Sequence, residues 1–263
     1  MTVGRRLRVL PSELRRRRFE RLLAGPRLIS AFAKSNPRAF FVEIGANDGE
    51  QHDHLRPFIL SSEWRGIMVE PVPYVFERLR RNYAGVERVA LENAAIATDD
   101  GTLPFYYLRD ASEEERARLP AWYDGIGSFS KEGVLGHVRH IPDVQSRLVC
   151  AELPALTFES LCEKHAVGRV DILLIDTEGY DWEIIRHIDL AARRPTLLVY
   201  EHFHLSAADR AECASHLTRL GFQTLEEGFD TFCLGVDADD RLRKTWSRLR
   251  PAVAGVSVHD ERS

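Results

Sequence analysis

"FFVEIGANDGEQHDHL", residues 40–55, runs from an apolar stretch through a turn with glycines at 45 and 49 into helix-like sequence. A strand, a glycine turn and a helix in that order open a βαβ unit, and such units build a largely parallel sheet with helices on both faces. In a doubly wound sheet the ligand lies outside the carboxyl ends of the strands, and the first strand-turn-helix stands there. Glu43, Gly45, Ala46, Asn47, Asp48 and Gly49 are therefore expected to face a ligand. Gly45 and Gly49 let backbone come close, Asn47 tolerates a left-handed conformation, and the next helix offers free N–H groups.

Outward from this turn the rhythm repeats. A strand at 66–70 (GIMVE) leads to a helix opened by Pro73 and carrying Val75, Phe76, Leu79 and Tyr83 inward, and a third strand falls within 88–97. "GTLPFYYL" (101–108) alternates like an edge strand, because Pro104 has no N–H for a central ladder. Residues 109–146 break the pattern, and "DGIGSFSKEG" (124–133) reads as a mobile loop or lid. The alternation resumes at 155–165, then strand 170–176 (VDILLID), a helix at about 181–191, strand 196–201 (TLLVYE), a helix at 207–220 and two runs at 222–226 and 231–236. This divides the chain into a basic helical arm (1–37), a domain (38–236) with a lid-like insertion (109–146), and a tail (237–263) with an amphipathic helix around 238–250.

Composition excludes several classes. At 263 residues and 44% hydrophobic, the chain can bury a full core. No uninterrupted apolar run reaches membrane-spanning length, and the Arg-rich start lacks the apolar stretch of a secretory signal, so a soluble, cytoplasmic protein is expected. Cys150, Cys162, Cys213 and Cys233 form no C-x-x-C pair, which argues against a zinc knuckle or redox dithiol. Eleven Lys/Arg against Glu13 and Glu20 leave residues 1–40 at +9 and the remainder at −13. Leu14, Phe19, Leu22, Leu23, Leu28, Ile29 and Phe32 give the arm an apolar face, favouring a docked helix over a nucleic-acid or membrane grip.

The turn does not suit a dinucleotide. G-x-G-x-x-G from Gly45 requires glycines where this chain has Asn47 and Glu50, and Glu43, Asp48 and Glu50 repel a pyrophosphate. A cationic ligand reverses the objection: S-adenosylmethionine carries a sulfonium and an ammonium that carboxylates attract, while its own carboxylate suits a helix N-terminus. Glu70 ends the second strand, where an acidic side chain accepts bonds from ribose hydroxyls, with Pro71 and Pro73 fixing its turn. Asn93, Ala94 and Ala95 follow the third strand beside the adenine position. His52, Ser128 and Asp176 complete the expected cofactor contacts.

These residues carry a resemblance. "FVEIGANDG", "WRGIMVEPVPYVFERLRRNY", "NAAIA", "GIGSFSKEGVLGH", "LPALTFESL", "DILLIDTEGYDWEIIRHIDL" and "PTLLVYEHFHLS" together resemble the FkbM family of S-adenosylmethionine-dependent methyltransferases over residues 38–236. The resemblance implies a class I methyltransferase fold, Rossmann-like, with sheet order 3-2-1-4-5-7-6 and an antiparallel last strand. It also implies O-methylation of a hydroxyl on a sugar or other small-molecule acceptor. The Glu201-His202-Phe203-His204 cluster is richer than the family shares generally.

Methyl transfer is an in-line displacement that needs a base for the hydroxyl proton. Asp176, Glu201, His202 and His204 stand at the strand ends where that base is expected, and an imidazole serves near neutral pH without a large shift. A strand that bends after Glu201 lets only one of His202 and His204 reach the acceptor. Asp176, Glu201 and His202 alternatively form an oxygen-rich set for Mg²⁺ or Mn²⁺, in the manner of catechol-type O-methyltransferases. His137 and His140 are expected on the lid. Two other classes stay open: a nucleic-acid methyltransferase gripping phosphates with the arm, disfavoured by the acidic body and by "DTEGYD" in place of an amino-methylation motif, and a cofactor-binding module without catalysis.

Overall fold

In the computed structural model, which describes residues 23–51 and 53–253, the chain first lays down β1 (Phe40–Ile44), β2 (Arg65–Val69) and β3 (Val89–Glu92). It then diverts into β4 (Ala95–Ile96), β5 (Gly101–Leu108), β6 (Gly127–Ser128) and β7 (Leu148–Leu156), and returns with β8 (Ile172–Ile175), β9 (Leu197–Glu201), β10 (Gln223–Glu227) and β11 (Asp230–Leu234). The main sheet runs β3-β2-β1-β8-β9-β11-β10, with only β11 directed against the others. Counted from one to seven, this is the 3-2-1-4-5-7-6 order of class I methyltransferases. Strand order reverses between β1 and β8, so the crevice opens at their carboxyl ends.

The central strands read as unbroken apolar runs because helices cover both of their faces. Phe41, Ile172, Leu174, Leu197 and Val199 enter the core on one side, and Val42, Ile44, Leu173, Ile175, Leu198 and Tyr200 enter the core on the other. Helices Ala24–Ser35 and Asp240–Val253 close the first side, while Phe158–Lys164, Asp181–His187 and Ala207–Arg219 close the second.

Helix Ala24–Ser35 is the described part of the basic arm, residues 1–22 lying outside the described residues along with 254–263. Its Leu28, Ile29 and Phe32 are fully buried, and Phe32 meets Trp64 edge-on at 5.6 Å. The helix begins against a carboxylate: Ala24 and Gly25 donate their N–H groups to Glu227 at 2.7 and 2.8 Å, the favourable sign for a helix N-terminus.

Two expectations change at the insertion. A second sheet, β4-β7-β5-β6, stands beside the main one, and β7 was not expected. Its alternation of exposed Cys150, Glu152 and Pro154 with inward Ala151, Leu153 and Ala155 is a strand pattern that Pro154 disguises. Pro104 lies opposite Glu152, and β6 pairs only with Tyr106 and Tyr107, so at Pro104 the strand has a neighbour on one side alone. The segment expected as a mobile loop is instead folded. Leu108, Tyr123, Ile126, Val134, Ile141 and Val144 form its own core, and buried Asp124 accepts bonds from Arg78 (2.7 Å), Tyr74 (3.1 Å) and Arg116, fastening it to helix Pro73–Asn82. Gly127 is closely packed: a Cβ there would stand 2.9 Å from the Phe105 ring.

Phe32→Ala should cost about 3–5 kcal/mol of stability through the cavity left against Trp64. Urea denaturation followed by tryptophan fluorescence checks this, and an unchanged midpoint would mean that the helix lies outside the cooperative core.

Candidate active site

At the end of β1 the chain turns sharply, with Gly45 at φ 80°, Asn47 at 49° and Gly49 at 66°. A Cβ on Gly45 would lie 1.7 Å from the carbonyl oxygen of Asp176. What presses on Gly45 is thus the chain's own backbone leaving β8, which corrects the expectation that a ligand's approach demands this glycine. Gly45 and Ala46 both donate to the Val69 carbonyl at 3.0 Å. Glu70 fastens the turn from the other strand: one carboxylate oxygen accepts the Asn47 N–H at 3.0 Å and the other accepts the Val72 N–H at 2.8 Å. Each oxygen keeps a second acceptor direction. Burial pushes the Glu70 pKa up to about 7, and the two backbone bonds offset only part of that rise.

The other expected cofactor residues fall into different situations. Asp48 spends its side chain on the N–H groups of Glu50 and Gln51, both at 2.9 Å. Asn93 donates to the carbonyls of Glu70 (2.8 Å) and Pro71 (3.1 Å), trimming the edge of the crevice. Ala46, Ala94 and Ala95 are buried, Ala95 in the small core with Val72 and Phe105, so their side chains do not line an open surface. Ser128 lies in β6 and accepts the Ser130 N–H at 3.1 Å. His52 is outside the described residues.

Strand geometry then gathers the carboxylates. Side chains alternate along a strand, and Glu43 shares its face with Phe41, Asp176 with Leu174, and Glu201 with Val199. Glu201 in turn stands opposite Asp230 on β11. Four acids therefore form a row across the carboxyl ends of neighbouring strands, and Glu70 continues it. Burial raises the Glu43 pKa well above the carboxylate range, with Asp53 and Asp176 adding to the rise, and one Glu43 oxygen has no hydrogen-bond partner. Glu201 is pushed up to about 10, by burial first and then by Asp176, Glu178, Asp181 and Asp230. Asp176 is open to solvent yet walled in by protein at the floor of the crevice. Loss of bulk water and the neighbouring Glu178, Asp181, Asp230 and Glu70 hold its pKa well up.

Asp181 organises the far side of the row, a role its place in "DTEGYD" had not signalled. It has no exposed surface, and its carboxylate accepts from the Thr177 hydroxyl (2.9 Å), the Gly179 N–H (3.3 Å) and the Glu201 N–H (3.3 Å). Glu178 adopts a left-handed φ of 53°, and Gly179 leaves room for His204, whose Cβ would stand 3.2 Å from an added methyl. His204 Nε2 reaches Glu178 at 3.0 Å and Glu201 at 3.9 Å. Burial draws the His204 pKa down, but the hydrogen bond and charge of Glu178 outweigh it and leave the pKa raised.

His202 does not join them. It continues the alternation of β9 onto the opposite face, buried, with Nδ1 2.9 Å from the Thr231 hydroxyl, so the expected set of Asp176, Glu201 and His202 is not assembled as a metal site. The ligand-type atoms that do converge within 4.8 Å belong to Glu178, Glu201 and His204. The insertion borders the opening: Gly125 lies near Asn47 and Glu178, His137 stands 6.1 Å ring to ring from His204, and Trp122 packs against His137 and His140 at 5.3 and 5.6 Å. A shallow depression at the amino ends of β1 and β2, lined by Arg38, Glu63 and Asp171 among others, lies at the far end of the strands from this chemistry.

The model of the methyltransferase FkbM domain matches residues 43–230. A solved methyltransferase FkbM from Methylobacillus flagellatus KT is similar at 10% identity and TM-score 0.46, over 75% of this chain and 44% of that one. This chain thus spans less than half of that protein's length. A methyltransferase from Geobacter sulfurreducens gives 14% identity and TM-score 0.42 over 86% and 90% of the two chains. A precorrin-6y C5,15-methyltransferase from Geobacter metallireducens GS-15 gives 11% and 0.36 over 75% and 80%. No curated protein matches the chain. Among the described residues no helix is long and apolar enough to cross a membrane.

The raised carboxyl groups fix a pH dependence. The folded state favours their protonated forms, so the stability they contribute is fully present below the ordinary carboxylate range and is lost as pH rises through about 7 for Glu70 and Asp181. The melting temperature of the ligand-free protein should therefore fall between pH 5 and pH 8, and Glu201→Gln should raise it at pH 8 and flatten the slope. Calorimetry across that window checks both; a melting temperature that climbs with pH would contradict the assignment.

Proposed function

The chain belongs to the FkbM methyltransferase family, and from that premise we propose that it moves the methyl group of S-adenosylmethionine onto a hydroxyl of a small-molecule or glycan acceptor. The observation that carries this reading is the cluster of acids at the strand ends, of which Glu43, Glu70 and Asp181 are buried. Glu43, Glu70, Asp176, Asp181 and Glu201 all have raised pKa values, and among the described residues none has a Lys or Arg as a cause of its shift. Such a set is stabilised by a cation, and a sulfonium with an ammonium fits it where a pyrophosphate does not. Glu70, with free acceptor directions on both oxygens, suits a ribose diol, and the Gly45–Gly49 turn and Asp176 suit the methionyl portion. S-adenosylmethionine, when bound, supplies the electrophilic methyl group.

The chain's own part is to hold the acceptor and take its proton. With Nε2–H donated to Glu178, the His204 imidazole presents Nδ1 as the basic nitrogen, and Glu178 stabilises the imidazolium that forms. His204 is thus the general base and Glu178 its positioning partner. His202, turned into the core against Thr231, has no part in the reaction. Asp181 keeps both strand ends in register for it.

S-adenosylmethionine binding near pH 7 should expel protons from the acidic row, while S-adenosylhomocysteine, which lacks the sulfonium, should expel fewer; calorimetry in buffers of different ionisation enthalpy measures this, and equal proton release would remove the electrostatic argument. Glu70→Ala should weaken S-adenosylmethionine binding about tenfold to a hundredfold.

His204→Ala should lower turnover about 10²–10⁴-fold with cofactor affinity retained, whereas His202→Ala should lower the melting temperature and spare turnover. Because Glu178 raises the His204 pKa and the base must be neutral, activity rises with pH through that pKa. Glu178→Gln should then shift the rising limb to lower pH while reducing the maximum rate. Chelation should leave turnover unchanged; loss of activity restored by Mg²⁺ would place an ion between Glu178, Glu201 and His204 instead.

A further inference from the structure

The mouth of the site has a composition of its own. Phe203 and Phe229 are 57% and 60% exposed, and their rings meet at 4.6 Å. Phe203 stands 4.9 Å from His204, His204 6.1 Å from His137, and His137 5.3 Å from Trp122, which is itself 38% exposed. An unbroken file of rings therefore runs from the tip of the β10–β11 hairpin, past the imidazole of His204, to the insertion. Exposed large apolar side chains placed together mark a contact surface when scattered ones do not.

The electrostatics beside the file are one-sided. Glu178 pairs with His204, Glu201 lies 3.9 Å from it, and Asp176 and Asp230 stand among the groups that hold the Glu201 proton. A phosphate at this mouth meets no cation among the rings to replace its water, because His204 is already paired with Glu178 and burial lowers the His137 pKa toward its neutral form. An uncharged molecule with an apolar or ring-shaped body meets no such penalty and covers the exposed rings.

Resting on the methyltransferase reading, we infer that the acceptor is an uncharged hydroxyl compound whose apolar or ring body lies along Phe229, Phe203 and Trp122 while its hydroxyl reaches His204. Phosphorylated sugars, nucleotide-linked sugars and nucleic acids are disfavoured, because their phosphates would have to displace Glu178 from His204. Phe203, Phe229 and Trp122 are then specificity-determining residues.

A matched pair of probes tests this without methyl transfer. Phenyl β-D-glucoside and phenyl phosphate carry the same ring, one neutral and one anionic. The chain has four tryptophans, and Trp64, Trp182 and Trp246 are buried, so acrylamide quenching of tryptophan fluorescence reports mainly on Trp122. The glucoside should shield Trp122 from acrylamide, and phenyl phosphate should bind at least about tenfold more weakly by saturation-transfer NMR. Phe203→Ala and Phe229→Ala should each weaken glucoside binding about threefold to tenfold; both rings are more than half exposed, so the fold survives their loss. Glu178→Gln should narrow the gap between the two probes. Equal or tighter binding of phenyl phosphate, no shielding of Trp122 in either the free or the S-adenosylhomocysteine-bound protein, or indifference to both Phe variants would each overturn the inference. Binding as expected without turnover on any hydroxyl acceptor would instead count against the proposed function alone.

Discussion

One carboxylate with no exposed surface joins the two strand ends on which the site is built. Asp181 takes a hydroxyl and an N–H from the turn after β8 and an N–H from the end of β9. Those bonds fold the turn back on itself, so that Glu178 reaches His204, and they hold Glu201 where the alternation of β9 directs its side chain into the crevice. Burial pushes Asp181 up to about 7, a cost that three hydrogen bonds only partly offset. A buried polar group of this kind specifies one arrangement of the chain around it more than it stabilises the whole.

The site as a whole shows the same balance. Acids crowded across parallel strand ends oppose folding, and the apolar layers on both sheet faces supply the stability that tolerates them. Places where local chemistry conflicts with stability are where function resides in a folded chain. Here the conflict is confined to the carboxyl ends of β1, β2, β8 and β9, while the strand interiors behind them are wholly apolar.

Much of this is legible in the sequence because it depends on local periodicity. Apolar runs bounded by glycine and proline locate β1, β2, β8 and β9 within two residues, and the position of Glu70 follows from its place after such a run. The order of the strands was implied by family resemblance, since periodicity does not say which strand lies beside which. What stayed hidden depends on contacts between distant segments. Nothing near Gly45 announces that its neighbour is the carbonyl of Asp176. The division of His202 from His204 depends on where β9 stops, and Pro154 masks a strand whose partner is β5. The Gly/Ser content of the insertion likewise does not announce its core around Tyr123 and Ile126, the packing of Gly127 on Phe105 or the bonds to Asp124.

The arrangement around helix Ala24–Ser35 bears on the order in which the protein is made. Its first N–H groups are held by Glu227, Gly25 fits against the ring of Phe232, and its apolar side packs in one core with Leu242 and Trp246. A ribosome delivers that helix some 200 residues before these partners. Loop closure across more than 200 residues therefore precedes any stabilisation from these contacts. Until β10 and β11 are made, the apolar face of this helix lacks the partners that bury it in the folded chain.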